Sequence, residues 1–177
     1  MMSSAGRIAL CAAVTLTFTV STLVLSARAQ APAADGSRAF QGTWTATGQM
    51  QTLPTETGRP AAVVRLSGTV TLTGDTTGLS RGFRGEAVAF DDGRSTNVGR
   101  AVWTDARGDR VFSELKGEPV QTGRRIAGTI TGGTGRYAGV TGEYELTWQY
   151  VVQSEDDTVN GRATDLRGRF RIGEARP

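Results

Sequence analysis

The sequence predicts an all-β fold, a single eight-stranded antiparallel closed barrel preceded by a signal peptide. From Phe40 onward the chain consists of roughly ten-residue runs rich in threonine, valine and aromatic residues, separated by Gly, Asp and Pro. Apolar and polar residues alternate within the runs, which is typical of antiparallel strands with one solvated face. Glycine recurs in mid-run on the apolar face, at Gly48, Gly68, Gly128 and Gly168. Such glycines favour the tight coiling of a small barrel over the alternative, an open sandwich.

Eight runs and their connections define the expected strands. They cover about residues 40–51, 60–74, 78–91, 95–105, 109–117, 123–131, 141–153 and 159–172. The tripeptides Asp91-Asp92-Gly93 and Arg107-Gly108-Asp109 supply the positive φ that hairpin turns need. In the seventh run one face carries only apolar and aromatic residues: Tyr144, Leu146, Trp148, Tyr150 and Val152.

The first 29 residues have the order of a secretory signal peptide. Residues 8–25 carry no charge, and Ser26-Ala27-Arg28-Ala29 provides a small-residue cleavage site. A retained membrane anchor is the alternative, because 18 uncharged residues nearly suffice to span a bilayer. We expect an exported protein, periplasmic or extracellular, with a disordered leader over residues 30–38 and the barrel domain over residues 39–174.

Composition then excludes several classes of function. Cleavage would leave 18 basic and 17 acidic residues, so the pI of 9.6 does not reflect a basic patch. We therefore expect no nucleic-acid partner and, after cleavage, no membrane contact. The chain has no histidine, and its only cysteine, Cys11, lies in the signal peptide. Ser-His-Asp and Cys-His catalysis and zinc sites are thus excluded, and we expect no metal and no cofactor.

A glycine-rich segment between the sixth and seventh runs is the most motif-like part of the chain. Residues 128–142 read GTITGGTGRYAGVTG, and Gly133-x-Gly135-x-x-Ala138 superficially matches a dinucleotide fingerprint. That fingerprint requires a helix whose N-terminus faces the pyrophosphate, whereas another strand follows here. We interpret the segment as a compact loop with one short turn at Arg136-Tyr137-Ala138, in which Tyr137 plugs an end of the barrel.

The same residues support a family resemblance. The run ITGGTGRYAGVTG resembles the GGTG-(K/R)-(F/Y)-x-G-(A/V)-x-G signature of the allene oxide cyclase-like and dirigent-like barrels, through Gly132, Gly133, Gly135, Tyr137, Gly139 and Gly142. The resemblance implies an eight-stranded antiparallel barrel, often trimeric, with a cavity for a hydrophobic molecule. Allene oxide cyclases guide cyclisation of a fatty-acid epoxide, and dirigent proteins steer coupling or cyclisation of phenolics. Neither activity needs a metal or a histidine nucleophile.

Two sets of side chains are candidates for a site. Six aromatic residues could line a cavity or could simply fill the core: Trp44, Phe83, Trp103, Tyr144, Trp148 and Tyr150. Glu114 lies between Phe112 and Leu115, and burial beside Arg100 would raise the pKa of its carboxyl and suit it to acid–base catalysis. The alternative for Glu114 is an exposed cross-strand ion pair with arginine.

The leading expectation is an exported barrel that holds a small hydrophobic ligand. The first alternative is a cyclase or isomerase that acts through substrate shape and an internal carboxylate such as Glu114. The second is an oligomeric envelope protein, a dimer or trimer, with an interface built from outward residues such as Val88, Phe90 and Val151.

The arginine-rich face of the last run (Arg162, Arg167, Arg169, Arg171) could bind an anion, although pairing with Glu143 and Glu145 is simpler.

Overall fold

The computed structural model describes residues 36–56, 58–74, 76, 78–121 and 123–173. The predicted signal peptide lies outside these residues, and so do positions 30–35 of the predicted leader. Gly36 and Ser37 precede the first strand, which already includes Arg38. All described residues belong to the second of two compact units of the chain, Pro32–Pro177.

The described chain is a closed antiparallel barrel, as the sequence predicts. Its strands follow in chain order around the wall, and the last pairs with the first. They are β1 (Arg38–Leu53), β2 (Ala61–Gly74), β3 (Gly82–Asp91), β4 (Asn97–Thr104), β5 (Arg110–Val120), β6 (Gly123–Gly133), β7 (Val140–Gln153) and β8 (Thr158–Ile172). A single 3-10 turn, Gly135–Tyr137, connects β6 to β7. Within the described residues, no helix is long and apolar enough to cross a bilayer.

The barrel closes through a long ladder between β1 and β8. Pairing runs from Arg38 opposite Phe170 to Gln49 opposite Thr158. One bulge interrupts it next to Asp165, which adopts a positive φ of 55°. Closure gives both edge strands a partner and so leaves no unpaired sheet edge in the barrel wall.

The connections agree with the turn chemistry, with one shift in a strand boundary. Gly93 has φ 73° and Gly108 has φ 90°, as the two hairpin tripeptides predict. The third strand starts at Gly82 rather than near residue 78. Gly78 has φ 101° and the Leu79 amide donates to the Thr76 carbonyl, so this segment is a turn that directs Leu79 into the core.

Strand alternation separates a charged outer face from an apolar interior. The inward positions carry the buried core, which includes all three tryptophans and Tyr137. On the outer face Arg167 pairs with Glu145 at 2.6 Å, and Arg169 stands opposite Glu143 in the register. These contacts favour the first of two alternatives for the β8 arginines, which is cross-strand pairing rather than an anion site.

Glycine permits the strands to cross closely where the wall coils. A Cβ atom added at Gly48 would fall on the backbone carbonyl of Arg65 in the neighbouring strand, and one at Gly68 would fall on the Thr45 carbonyl. Backbone atoms cannot move aside as a flexible side chain can. The mid-strand glycines are therefore required by the curvature of the barrel.

We predict that Gly48→Ala destabilises the protein by about 1–3 kcal/mol or more, because the new methyl group overlaps backbone. Gly82→Ala is the matched control, since a Cβ there meets no atom within 4 Å. Chemical denaturation of both variants measures the difference. Equal stabilities would show that Gly48 is not needed for coiling.

Candidate functional site

The two ends of the barrel differ in how they are closed. We call the end that carries the β2–β3, β4–β5 and β6–β7 connections the plugged end, and the opposite end the open end. At the plugged end the inward side chains are buried: Phe40, Leu72, Phe83, Val111, Val140 and Phe170. At the open end several inward residues are only half-buried: Gly48, Met50, Val64, Ala89, Gly99, Gly117, Ile126 and Tyr150. Val159 on β8, which stands opposite Gly48, is nevertheless fully buried. The inward residues nearest the open rim are therefore partly accessible to solvent.

Tyr137 forms the plug. The 3-10 turn of the glycine-rich segment places its side chain inside the barrel, where it is fully buried and its ring centroid lies 5.8 Å from that of Phe83. Gly135 has φ 56°, and a Cβ there would collide with the Asp109 carboxylate. The conformation and the close approach both explain glycine at this position.

Asp105 holds the plug in place. Its fully buried carboxylate accepts hydrogen bonds from the Tyr137 hydroxyl (2.9 Å) and the Arg136 guanidinium (2.5 Å). It also accepts the backbone N–H groups of Arg107 (2.7 Å) and Asp109 (3.1 Å). Burial alone would raise the pKa of Asp105, but these donors outweigh it and lower the pKa to about 2.

The tyrosine hydroxyl extends this network to a third connection. It accepts the backbone N–H of Ser80 at 3.2 Å, from the β2–β3 connection. Burial, and next the bond to the Asp105 carboxylate, raise the pKa of Tyr137 to about 12, so the phenol remains a donor at neutral pH. Three connections are therefore tied together by one ionised carboxylate and one neutral phenol, which seal this end.

An ion pair crosses the rim of the open end. The Arg124 guanidinium contacts the Asp91 carboxylate, and both side chains are largely buried. Arg124 belongs to β6 and Asp91 to β3, with β4 and β5 between them, so the pair spans the opening rather than following the wall. The Gly93 N–H donates to the second oxygen of Asp91 at 2.8 Å and fixes the carboxylate.

Two indoles in tilted contact lie between the plugged half and the open rim. The rings of Trp44 and Trp148 are 5.0 Å apart, and both residues stand opposite Ala163 on β8. Tyr150 follows Trp148 towards the rim in an edge-to-face contact. Burial raises the pKa of Tyr150, which is half-buried. Tyr150 is thus the partly accessible member of this aromatic group, while Trp44 and Trp148 are buried.

The other predicted lining residues belong to the plugged half. Trp103 packs on Tyr144 with ring centroids 4.9 Å apart, and it also contacts Phe83 and Phe40. Burial raises the pKa of Tyr144 to about 12 despite a hydrogen bond with Ser113. For Trp103, Phe83 and Tyr144 the structure therefore favours the core-filling alternative.

Of the two alternatives for Glu114, the structure shows the exposed cross-strand ion pair and not the buried carboxylate. Glu114 lies on the outer face of β5, where its side chain is 51% exposed and forms an ion pair with Arg100, itself 69% exposed. Hydrogen bonding and charge from Arg100 lower the pKa of Glu114 instead of raising it. The inward positions of β5 are Val111, Ser113 and Leu115, so Phe112 and Glu114 face outward.

A separate groove of about 400 Å³ lies on the outer wall beside the β8 bulge. It is lined by Gln41, Gly42, Thr43, Thr71, Thr73, Asp165, Leu166 and Arg167. Arg167 is already engaged by Glu145. No aromatic residue lines the groove, and most of its lining side chains carry hydroxyl, amide or charged groups.

Similarity to known proteins gives no further guidance. Comparison of the chain with protein-family models, with curated proteins and with solved structures finds no match. In the described part of the chain, no three His, Cys, Asp or Glu side chains cluster to hold a metal ion. The geometry of the open half and the glycine-rich motif are therefore the basis on which a function can be inferred.

The sequence interpretation missed the residues that control the two ends. Asp105 carries a local signal, because it precedes the Arg107-Gly108 turn and caps that turn through its side chain. Its contact with Tyr137, 32 residues away, has no sequence signal. The Arg124–Asp91 pair likewise joins strands that are not neighbours, so strand pairing alone does not reveal it.

We predict that Asp105 makes the protein lose folding stability more steeply as the pH falls. Its pKa falls from 3.8 to about 2 on folding, so its stabilisation is present above pH 4 and is lost as the pH falls through 2. Asp105→Asn should be less stable than the parent protein at pH 7, and this difference should shrink towards pH 2. Denaturant titrations between pH 7 and pH 2 measure the effect.

Asp157→Asn, at an exposed hairpin tip, is the control for that series. Asparagine tolerates the positive φ of 63° found there, so this variant should follow the parent protein at every pH. A constant stability difference for Asp105→Asn across the acid range would contradict the assigned role of the carboxylate.

Proposed function

We propose that this protein is an exported barrel that binds a small, largely apolar molecule, which enters through the open end. The single observation that carries this proposal is the contrast between the ends. Most inward side chains are buried at the plugged end, whereas several near the open rim are only half-buried. A barrel of eight strands is wide enough to hold one small ligand when its interior positions are not filled by large side chains.

The residues of the open half suit an apolar guest. Met50, Val64, Ile126 and Tyr150 pack against the core from this side and supply apolar walls. Small residues such as Ala89 and Gly99 add little side-chain volume to the interior at this end. Apolar walls with a few polar groups at the rim are typical of small-molecule pockets.

Two sequence features support the same proposal. The glycine-rich motif resembles that of the allene oxide cyclase-like and dirigent-like barrels, in which a cavity holds a hydrophobic molecule. The N-terminal segment has the order of a signal peptide, so the ligand would be met outside the cytoplasm.

Binding without chemistry is favoured over a cyclase or isomerase. Glu114, the carboxylate expected to act as acid or base, is on the outer face. Among the described residues, the inward carboxylates Asp91 and Asp105 are both held in ion pairs with arginine. The hydrogen bonds to Asp105 keep its pKa low and its carboxylate ionised, so it is a weak proton donor near neutral pH.

The proposal is tested by filling the open half. Ala89→Phe places a ring at an inward position and should abolish binding of an apolar fluorescent probe, while Ala127→Phe makes the same change on the outer face of β6 and should leave binding intact. Titration of the probe into the purified protein measures both variants. Native mass spectrometry of protein isolated from its own host shows whether a small molecule co-purifies.

Three results would contradict ligand binding in the open half. They are failure of the parent protein to bind the probe, equal binding by the parent and both variants, and a gain in stability in Ala89→Phe without loss of binding. The last result would show that the ring fills space the ligand does not use.

Oligomerisation is a second candidate function, supported by an exposed apolar patch. Val63, Phe90 and Val98 are direct cross-strand neighbours on the outside of β2, β3 and β4, and each is about 45% exposed. Val88 lies two residues from Phe90 on the same face. Val151 is on β7, which does not adjoin these strands, so it belongs to a different surface.

We predict that a self-association surface at this patch gives a dimer or trimer mass by light scattering. Phe90→Glu should then reduce the mass to that of a monomer, because it places a charge in the apolar patch. Val151→Glu, on the opposite wall, is the control and should not change the mass. A monomeric parent protein at micromolar concentration would remove this candidate.

A further inference from the structure

Two buried hydrogen-bond donors in the barrel have no partner. The indole nitrogens of Trp44 and Trp148 are inaccessible to solvent and make no hydrogen bond, and the two residues are only 7% and 3% exposed. An indole N–H can only donate. Leaving such a group unsatisfied is costly, and most buried polar groups in proteins therefore have a protein or water partner.

The surrounding wall offers Trp44 no acceptor side chain. Its indole nitrogen faces Gly85, where an added Cβ would lie 3.0 Å from the nitrogen and 2.7 Å from the Val70 methyl group. The backbone groups of these strands are used in the ladder between β2 and β3. The wall is thus shaped to admit the indole ring, but it does not satisfy the N–H.

Trp148 is in a comparable position nearer the rim. Its six-membered ring lies over Gly161, where a side chain would collide with it. The N–H is near enough to the Tyr150 hydroxyl to oppose the rise that burial causes in the pKa of that phenol, but the two groups do not reach hydrogen-bond geometry.

The two donors occur together, which is the decisive point. Their ring centroids lie 5.0 Å apart, and Trp148 also contacts the half-buried Tyr150 nearer the open rim. An oxygen atom of a bound molecule placed here could accept from one or both indoles. One guest would then satisfy polar groups that the protein itself leaves unpaired.

We propose that Trp44 and Trp148 form an oxygen-acceptor site, and that the ligand is an uncharged apolar molecule carrying a carbonyl or ether oxygen. This inference rests on the proposed binding function. A charged ligand is disfavoured because a buried charge needs a counter-ion. The nearest arginine, Arg124, stands opposite Trp148 in the register and is already engaged by Asp91.

The test uses two probes that differ only in the acceptor, 2-acetylnaphthalene and 2-ethylnaphthalene. We expect calorimetry to show that the ketone binds the parent protein about 5- to 10-fold more tightly, as one buried hydrogen bond would give. Trp44→Phe and Trp148→Phe keep an aromatic ring and remove the N–H. Each should reduce the ratio of the two affinities several-fold towards one.

Trp103→Phe is the matched control, since Trp103 packs within the plugged half against Tyr144, Phe83 and Phe40. It should leave the affinity ratio unchanged. Nuclear magnetic resonance of the parent protein provides a second measurement that does not depend on the folding of any variant. The chain has three tryptophans, and the ketone should shift the indole proton signals of Trp44 and Trp148 downfield while that of Trp103 stays in place.

The outcomes separate this inference from the proposed function. Equal binding of both probes, with no downfield indole shift, would overturn the acceptor site and leave apolar binding in the barrel intact. That result would indicate that buried water satisfies the two donors. Failure of both probes to bind the parent protein would overturn the proposed function and the acceptor site together.

Discussion

The hydrogen-bonded closure between β1 and β8 is the constraint on which the rest of the structure depends. Once the sheet is closed, every strand has a fixed inward face, and large inward residues must share one narrow interior. The wall can coil this tightly only because glycine occurs where strands cross, as at Gly48 and Gly68. The distribution of large and small inward residues then decides which part of the interior is filled.

That distribution divides the barrel into a sealed half and an accessible half. At one end an ionised Asp105 fixes the Tyr137 phenol and the surrounding connections, a buried network that is stable because every charge on it is satisfied. At the other end the inward positions are small or half-buried, and the indole donors of Trp44 and Trp148 are left unpaired. The hydrogen-bonded network and the half-buried inward residues thus lie at opposite ends of the same barrel.

Local chemistry made most of the fold predictable from the sequence. Alternation in the seventh run identified the inward face that carries Tyr144, Leu146 and Trp148, and Gly93 and Gly108 marked real turns. Strand five was ambiguous because Val111 and Phe112 are both apolar, so the alternation could not be read and the orientation of Glu114 stayed open. The structure resolves the parity through pairing, since Ser113 points inward to Tyr144. Contacts across the interior, such as Tyr137 with Asp105 and Arg124 with Asp91, join residues far apart in sequence and left no local pattern.

The pairing of the first strand with the last has a consequence for how the chain can be made and moved. Until Thr158–Ile172 is available, β1 lacks one of its two neighbours and the growing sheet keeps two unpaired borders. A polypeptide that emerges amino end first, from a ribosome or from a translocation channel, therefore cannot complete its wall until its final strand has cleared the exit. Until then the chain stays unclosed and can pass through a narrow channel. During that interval its unpaired strand edges must be kept from pairing with other copies of the chain.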